Sequence, residues 1–251
     1  MIAVSIVSHS HGQMVSELVE SLIGMPEVKQ IVVTLNVPER IDLPSDPRVV
    51  VVENDHPKGF GANHNAAFRL CNQAYFCPLN PDISLIGNPF PALLDAMARY
   101  QTSLIAPLII SPAGNVEDSA RRFPSLRELV LRPFGGKQHR YSLQTGEGSM
   151  YPDWIAGMFM LFNASDYARL SGFDEDYYLY YEDVDICTRV WRAGLKIALC
   201  TDAQALHDAR RASRSNLRHL RWHLCSMWKY YLRYWGRLPI TASQPRKLTN
   251  H

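Results

Sequence analysis

Through the first 110 residues, short apolar and β-branched runs alternate with segments of helical period. This alternation constrains the fold more than any other feature. Residues 3–8 form an apolar, strand-like run. Residues 13–23 follow with Val15, Leu18, Val19 and Leu22 at helical spacing. Strands are predicted at 30–35, 48–52, 74–79 and 103–110, and helices at 63–71 and 89–100. The continuous valines of 48–52 predict burial on both faces. Strand, helix, strand, helix predicts an α/β chain with a mostly parallel sheet and right-handed crossovers. Farther on, residues 111–148 are rich in Gly, Ser, Arg and Pro and predict a partly mobile loop region. A strand is expected at 154–162, a short helix at 165–170, a helix at 181–193 ending at Gly194 and a strand at 195–200. A long helix is expected at 213–235.

Ligands of open α/β sheets bind beyond the carboxyl ends of the strands. Attention therefore falls on residues 8–12, 36–38, 53–61 and 80–82. The formal net charge is +2, which gives no reason to expect a nucleic-acid partner. The five cysteines are odd in number and form no C-x-x-C pair, which fits a reducing cytosol. Met1-Ile2-Ala3-Val4 reads as a strand, not as a charged leader. No apolar run approaches the ~20 residues that span a bilayer, so a membrane role is expected to be peripheral.

Five features carry possible chemistry. Leu79-Asn80-Pro81-Asp82 ends a predicted strand, because Pro81 cannot continue a central ladder. Asp82 then stands at the sheet edge, either as a metal-ligating carboxylate or as an ordinary turn aspartate. Tyr181-Glu182-Asp183-Val184-Asp185 packs three carboxylates beside aromatic rings. One of them could have a raised pKa and act as a base, and all of them also suit the first turn of a helix. Asp185 with Arg189 has the i,i+4 spacing of a structural pair. Asn54 through Asn65 carries Gly59 and Gly61, which allow a tight turn before a helix, and it matches neither a Walker loop nor G-x-G-x-x-G. His207 rises above an ordinary histidine only if the fold returns it to Asp82. The late helix interleaves Arg214, Arg218, Arg221, Trp222, Lys229, Tyr230, Tyr231, Arg233, Tyr234, Trp235 and Arg237. That pattern suits an anionic lipid surface, RNA, or a helix packed on the domain.

In this order the segments resemble the inverting glycosyltransferases of family 2, which have the GT-A fold. The resemblance runs over about residues 1–235. It rests on Val4-Ser5-Ile6-Val7-Ser8-His9, the Asn54 to Asn65 loop, Leu79-Asn80-Pro81-Asp82 and Trp154-Ile155-Ala156-Gly157-Met158-Phe159-Met160. Gly172-Phe173-Asp174-Glu175, Tyr181-Glu182-Asp183-Val184-Asp185-Ile186-Cys187 with Arg189, and His207 continue it. Within that family, Arg121-Arg122-Phe123-Pro124 and Arg221-Trp222-His223-Leu224-Cys225-Ser226 are similar to segments of bacterial rhamnosyltransferases that build O-antigen and related surface polysaccharides.

The resemblance implies a GT-A domain over 1–210 and a C-terminal amphipathic helix and tail over 211–251. It implies dTDP-L-rhamnose as donor and a lipid-linked acceptor such as GlcNAc on a polyprenyl diphosphate. A divalent cation, Mg2+ or Mn2+, would sit at Asp82, with His207 as a second ligand. Asn80 stands where the family's D-x-D motif has its first aspartate. Ser8, His9, Asn36, Asn54, Gly59, Phe60, Asn63, Asn80 and Asp82 are expected on the donor side. Asp153, Trp154 and Gly157 are expected on the acceptor side. Asp183 is expected as the base, with Glu182 as the alternative. The protein is expected in the cytoplasm, held peripherally to the inner membrane face by its last helix, with self-association open. Other readings are a different nucleotide sugar, a nucleotidyltransferase, a non-catalytic sugar- or nucleotide-binding module, and an RNA-binding protein. Against the nucleotidyltransferase, Ser8-His9-Ser10-His11-Gly12 is not the glycine- and arginine-rich loop that class carries after its first strand.

Overall fold

The computed structural model describes residues 1–123, 149–207, 217–239 and 241. Most of the expected loop region, the boundary at 210/211 and the first residues of the expected last helix lie outside the described residues.

The strands are β1 (Ile2–Ser8), β2 (Val28–Leu35), β3 (Val49–Glu53), β4 (Tyr75–Leu79), β5 (Ile83–Leu85) and β6 (Leu104–Ile110). They continue as β7 (Ala120–Arg121), β8 (Ser149–Met150), β9 (Trp154–Ile155), β10 (Leu161–Asn163) and β11 (Ile197–His207). The helices are α1 (Gln13–Ile23), α2 (Phe60–Phe68), α3 (Phe90–Tyr100), α4 (Ala164–Arg169), α5 (Glu182–Arg192) and α6 (Leu217–Tyr234). The main sheet has the order β3-β2-β1-β4-β10-β6-β11-β5, with β8 on β11. Strands β1 to β4, β6 and β11 point one way, and the short β5, β8 and β10 run against them. The predicted α/β sheet is thus present, mostly parallel in strand direction and mixed in its ladders.

Alternation along β1 builds the two halves of the core. Ile2, Val4 and Ile6 join Val15, Leu18, Val19 and Leu22 of α1 and Phe90, Leu93 and Met97 of α3 on one face. Ala3, with Val32, Phe76 and Leu104, faces Ala67 of α2, Tyr167 of α4, and Val184, Ile186 and Val190 of α5. Each fully buried side chain of this size contributes on the order of 1.5–3 kcal/mol.

Two expectations are corrected. β3 is an edge strand, so Val50 and Val51 are exposed and the valine run is not buried on both faces. Residues 154–162 are not one strand. The chain pairs as β9, leaves the ladder at residues 156–158, bridges Leu79 through Phe159 alone and pairs again as β10.

Helix α6 lies on the second core half. Tyr230 and Tyr234 are buried there, and Thr188 Oγ1 is 2.8 Å from the Tyr230 hydroxyl. Asp185, fully buried, accepts from Arg189 Nε at 2.7 Å, the Tyr234 hydroxyl at 2.7 Å and Arg233 Nη1 at 3.3 Å. The expected Asp185–Arg189 contact is therefore also the joint between α5 and α6. Arg233 reaches Asp174 as well. Of the three readings left open for this helix, packing on the domain accounts for Tyr230 and Tyr234.

Candidate active site

Strand β4 ends in a turn in which Ile83 N donates to Asn80 O at 3.3 Å. This delivers Asp82 to the sheet edge. Strand β11 runs antiparallel to β5 and places His207 opposite Ile83. The two sequence-distant groups meet there: His207 Nε2 lies 3.2 Å from Asp82 Oδ2. His207 Nδ1 lies 2.7 Å from Glu117 Oε2. The hydrogen bond to Asp82, opposed by burial and helped by Glu117, pushes the imidazole up to about 9. The other oxygen, Asp82 Oδ1, is buried without a hydrogen-bond partner. An orphaned carboxylate oxygen beside an imidazole oriented by a second carboxylate is a donor set that fits a divalent cation. Among the described residues no group of three or more His, Cys, Asp or Glu is arranged for an ion. A cation bound there would therefore take most of its ligands from outside these side chains.

The acid pair opens α5. Tyr180 and Tyr181 both adopt left-handed backbone, φ 70° and 67°, immediately before it. Two consecutive non-glycine residues in that region are strained and hold only where packing dictates them. Here Tyr180 contacts His219 and His223 of α6, and Tyr181 contacts His223 and Tyr230. Asp183 Oδ2 accepts from Gly157 N at 3.1 Å, and Oδ1 accepts from Val184 N at 2.8 Å. Glu182 is buried, and its Oε2 has no partner. Burial, then the neighbouring Asp183 charge, holds Glu182 well above the usual carboxylate range. Burial also raises Asp183, partly offset by the Gly157 and Val184 amides and by Arg121. Two crowded acids cannot both ionise cheaply, and such a pair is chemically able to take up and pass on a proton.

The cation-type cluster and the acid pair share one strut. Gly157 N donates to Asp183, and the carbonyl of the next residue accepts from the turn that carries Asp82, Asn80 N to Met158 O at 2.9 Å. A Cβ on Gly157 would stand 3.3 Å from Phe60 and 3.6 Å from the Asp183 Cβ. Gly59 is constrained harder: a Cβ there would meet the Tyr178 carbonyl oxygen at 2.5 Å. That approach lets Phe60 N donate to Tyr178 O at 2.9 Å and ties the start of α2 to the segment that leads to Glu182.

The expected donor side is brought together at the ends of β1, β2 and β3. Asn54 Nδ2 donates to Asn36 Oδ1 at 3.0 Å and to Asn63 Oδ1 at 2.7 Å. Asn36 and Asn63 then hold the backbone of Lys58 and Gly59. These amides shape the loop, and Asn36 and Asn63 are buried in it. Ser8 is buried and its Oγ accepts from His11 N at 3.4 Å, whereas His9 is exposed beside Asn36. Next to them opens a cavity of about 360 Å³ lined by Leu35, Val37, Glu39, Arg40, Glu53 and Asn54, among others.

The acceptor-side expectation needs correction at Asp153. Its carboxylate is buried and accepts from Phe123 N at 2.9 Å and from Thr241 Oγ1 at 2.6 Å, so it anchors the chain from inside. Trp154 is also mostly buried and donates to Arg122 O at 2.9 Å. Sequence reasoning missed Glu117, which stands in a segment with no local pattern. It also gave no site role to Arg121, which lies 5.2 Å over the Trp154 ring and close enough to favour the Asp183 anion.

No protein-family model matches the chain. Among curated proteins it is similar to the rhamnosyltransferase WbbL of Escherichia coli strain K12, 29% identical over 247 residues and 93% of each chain. It is also similar to an N-acetylglucosaminyl-diphospho-decaprenol L-rhamnosyltransferase of Mycobacterium tuberculosis, 35% identical over 57% of this chain and 50% of that one. The chain therefore spans about half the length of the mycobacterial relative. Its backbone matches GalNAc-T7, solved with UDP, GalNAc and Mn2+, with a TM-score of 0.63 at 16% identity over 82% of this chain and 43% of that one. The sheet order and the backbone match agree on the GT-A fold, and over its whole length the chain is similar to a rhamnosyltransferase.

Proposed function

We propose that the protein transfers L-rhamnose, with inversion, from dTDP-L-rhamnose to a lipid-linked saccharide such as GlcNAc on a polyprenyl diphosphate, in cell-surface polysaccharide synthesis. The observation that carries this reading is the similarity to a rhamnosyltransferase over nearly all of both chains. The mycobacterial relative's N-acetylglucosaminyl-diphospho-decaprenol acceptor supports the acceptor class. Asp82 and His207 would hold a divalent cation, Mg2+ or Mn2+, which when bound neutralises charge on the leaving diphosphate. The ends of β1 to β3 and the Gly59 loop hold the nucleotide, and the cavity beside Asn54 accommodates its base. Asp183 removes the proton from the acceptor hydroxyl as that oxygen bonds to the anomeric carbon and the carbon–oxygen bond to the diphosphate breaks on the opposite face. Asp183 is preferred to Glu182 because it is partly exposed, whereas Glu182 is buried and its pKa is raised by burial and by the neighbouring Asp183. The work is done on the cytoplasmic face of a membrane, with the protein held peripherally. No described helix is long and apolar enough to cross one.

Thermal shift with dTDP-rhamnose, other dTDP-sugars, UDP-sugars and GDP-sugars, each with Mn2+ and with EDTA, tests the donor. Metal-dependent stabilisation by dTDP-rhamnose above the others is expected. A preference for another donor would retain the enzyme class and discard rhamnose.

A further inference from the structure

Helix α6 has two faces. One carries Ser226, Tyr230 and Tyr234 into the domain. On the other, Leu217, Leu220, Leu224, Trp228, Leu232 and Trp235 recur at intervals of three and four, and each is 48–82% exposed. That spacing makes a single apolar stripe along the helix. Contiguous apolar surface of this kind on a soluble chain marks an interaction site. The charge around it selects the occupant. From Leu217 to Arg237 there are five basic residues and no acidic one, in a chain whose total is only +2; Lys229 and Arg233 pair with Asp176 and Asp174 of the domain, and Arg218, Arg221 and Arg237 stand beside the stripe. A second copy laid against the stripe would oppose like charges, whereas an anionic surface would not. Leucine and tryptophan on the outer face with arginines beside them is the composition of a helix face that lies in a lipid interface.

We infer that the Leu217–Leu220–Leu224–Trp228–Leu232–Trp235 stripe is a docking surface for an anionic lipid bilayer, and that docking presents the acid pair to the membrane. This rests on the proposed lipid-linked acceptor. The domain-facing side of α6 holds Tyr180 and Tyr181 through His219 and His223, and Tyr181 adjoins Glu182. The width of a helix with its side chains, about 10 Å, therefore separates the stripe from the segment that opens the active site. A helix seated at the headgroup level holds that segment just above the lipid phosphates, where a sugar on a lipid diphosphate stands.

Vesicle co-sedimentation of the full chain, without donor or acceptor, tests the surface separately from catalysis. Vesicles of phosphatidylethanolamine with phosphatidylglycerol are expected to bind it, and vesicles of phosphatidylcholine alone to bind it far less. Leu224→Glu and Trp228→Glu should each lower partitioning about tenfold, and the pair about a hundredfold. Leu70→Glu, at an exposed leucine elsewhere, should bind as the parent does. Unchanged circular dichroism and melting would show that the α6 variants fold. On binding, tryptophan emission should shift to the blue, and the shift should shrink in Trp228→Phe with Trp235→Phe. Undiminished partitioning of the folded double variant would overturn the inference. So would a parent that sediments as a dimer, binds no anionic vesicle and becomes monomeric in the double variant. Donor-dependent thermal stabilisation would stand in either case.

Discussion

Replacing Glu182 by Gln should make the protein more stable at neutral and mildly alkaline pH. Glu182 is 5% exposed, its Oε2 has no partner, and Asp183 is the next residue. Burial and that neighbouring charge raise its pKa above the ordinary 4.5. A carboxyl raised in the folded state binds its proton more tightly there than in the unfolded chain. Its contribution to stability is therefore fully present below pH 4.5 and is lost as pH rises through the folded value. Gln keeps the shape and cannot ionise, so it escapes the loss. Both side chains leave a polar atom unpaired, so only the charge penalty differs, about 1–3 kcal/mol. For a chain of this size that is a rise in Tm of roughly 2–10 °C at pH 8. The assay is thermal unfolding of both proteins from pH 4 to pH 8. The two should melt together at pH 4 and separate as pH rises. A difference that stays constant across the range, or a variant less stable at pH 8, would refute the reasoning.

Asp183→Asn should fold and lose about 10²–10⁴-fold in turnover, since it removes the proposed base, measured as initial rates of sugar transfer. Asp185→Ala strips a buried charge from Arg189, Arg233 and Tyr234 and should cost about 3–5 kcal/mol in urea unfolding, loosening α6 from α5. Gly59→Ala drives a methyl group into the Tyr178 backbone. It should cost about 1–3 kcal/mol and lower kcat, because the displaced segment leads to the acid pair.

The parts of the fold legible in the sequence are those set by local pattern. The four apolar positions of α1 and the break at Pro81 needed no tertiary information. The errors arose where neighbours decide. The valine run expected at 48–52 to be buried on both faces is partly exposed, because among the described residues nothing pairs beyond β3. The apolar run at 154–162 holds a non-ladder stretch because residues 157 and 158 serve Asp183 and Asn80. Asp153 resembles a site carboxylate until Phe123 and Thr241 are seen to occupy it. His207 carried a condition in sequence, return to Asp82, and β11 meets it by running to Ile83's partner position. Glu117 carried no signal, since only the fold brings it to that imidazole. The last helix was legible as amphipathic but not in orientation. Its tyrosines face the domain, and its leucines, with Trp228 and Trp235, face out.

The most direct test of the central claim is product formation. The purified full chain is incubated with dTDP-L-rhamnose, a GlcNAc-diphospho-polyprenol and Mg2+ or Mn2+, and the lipid product is analysed by mass and anomeric configuration. The account predicts one added rhamnosyl group, inverted at the anomeric carbon and absent with EDTA. No glycolipid product with this donor, alongside transfer from another nucleotide sugar or from none, would contradict it.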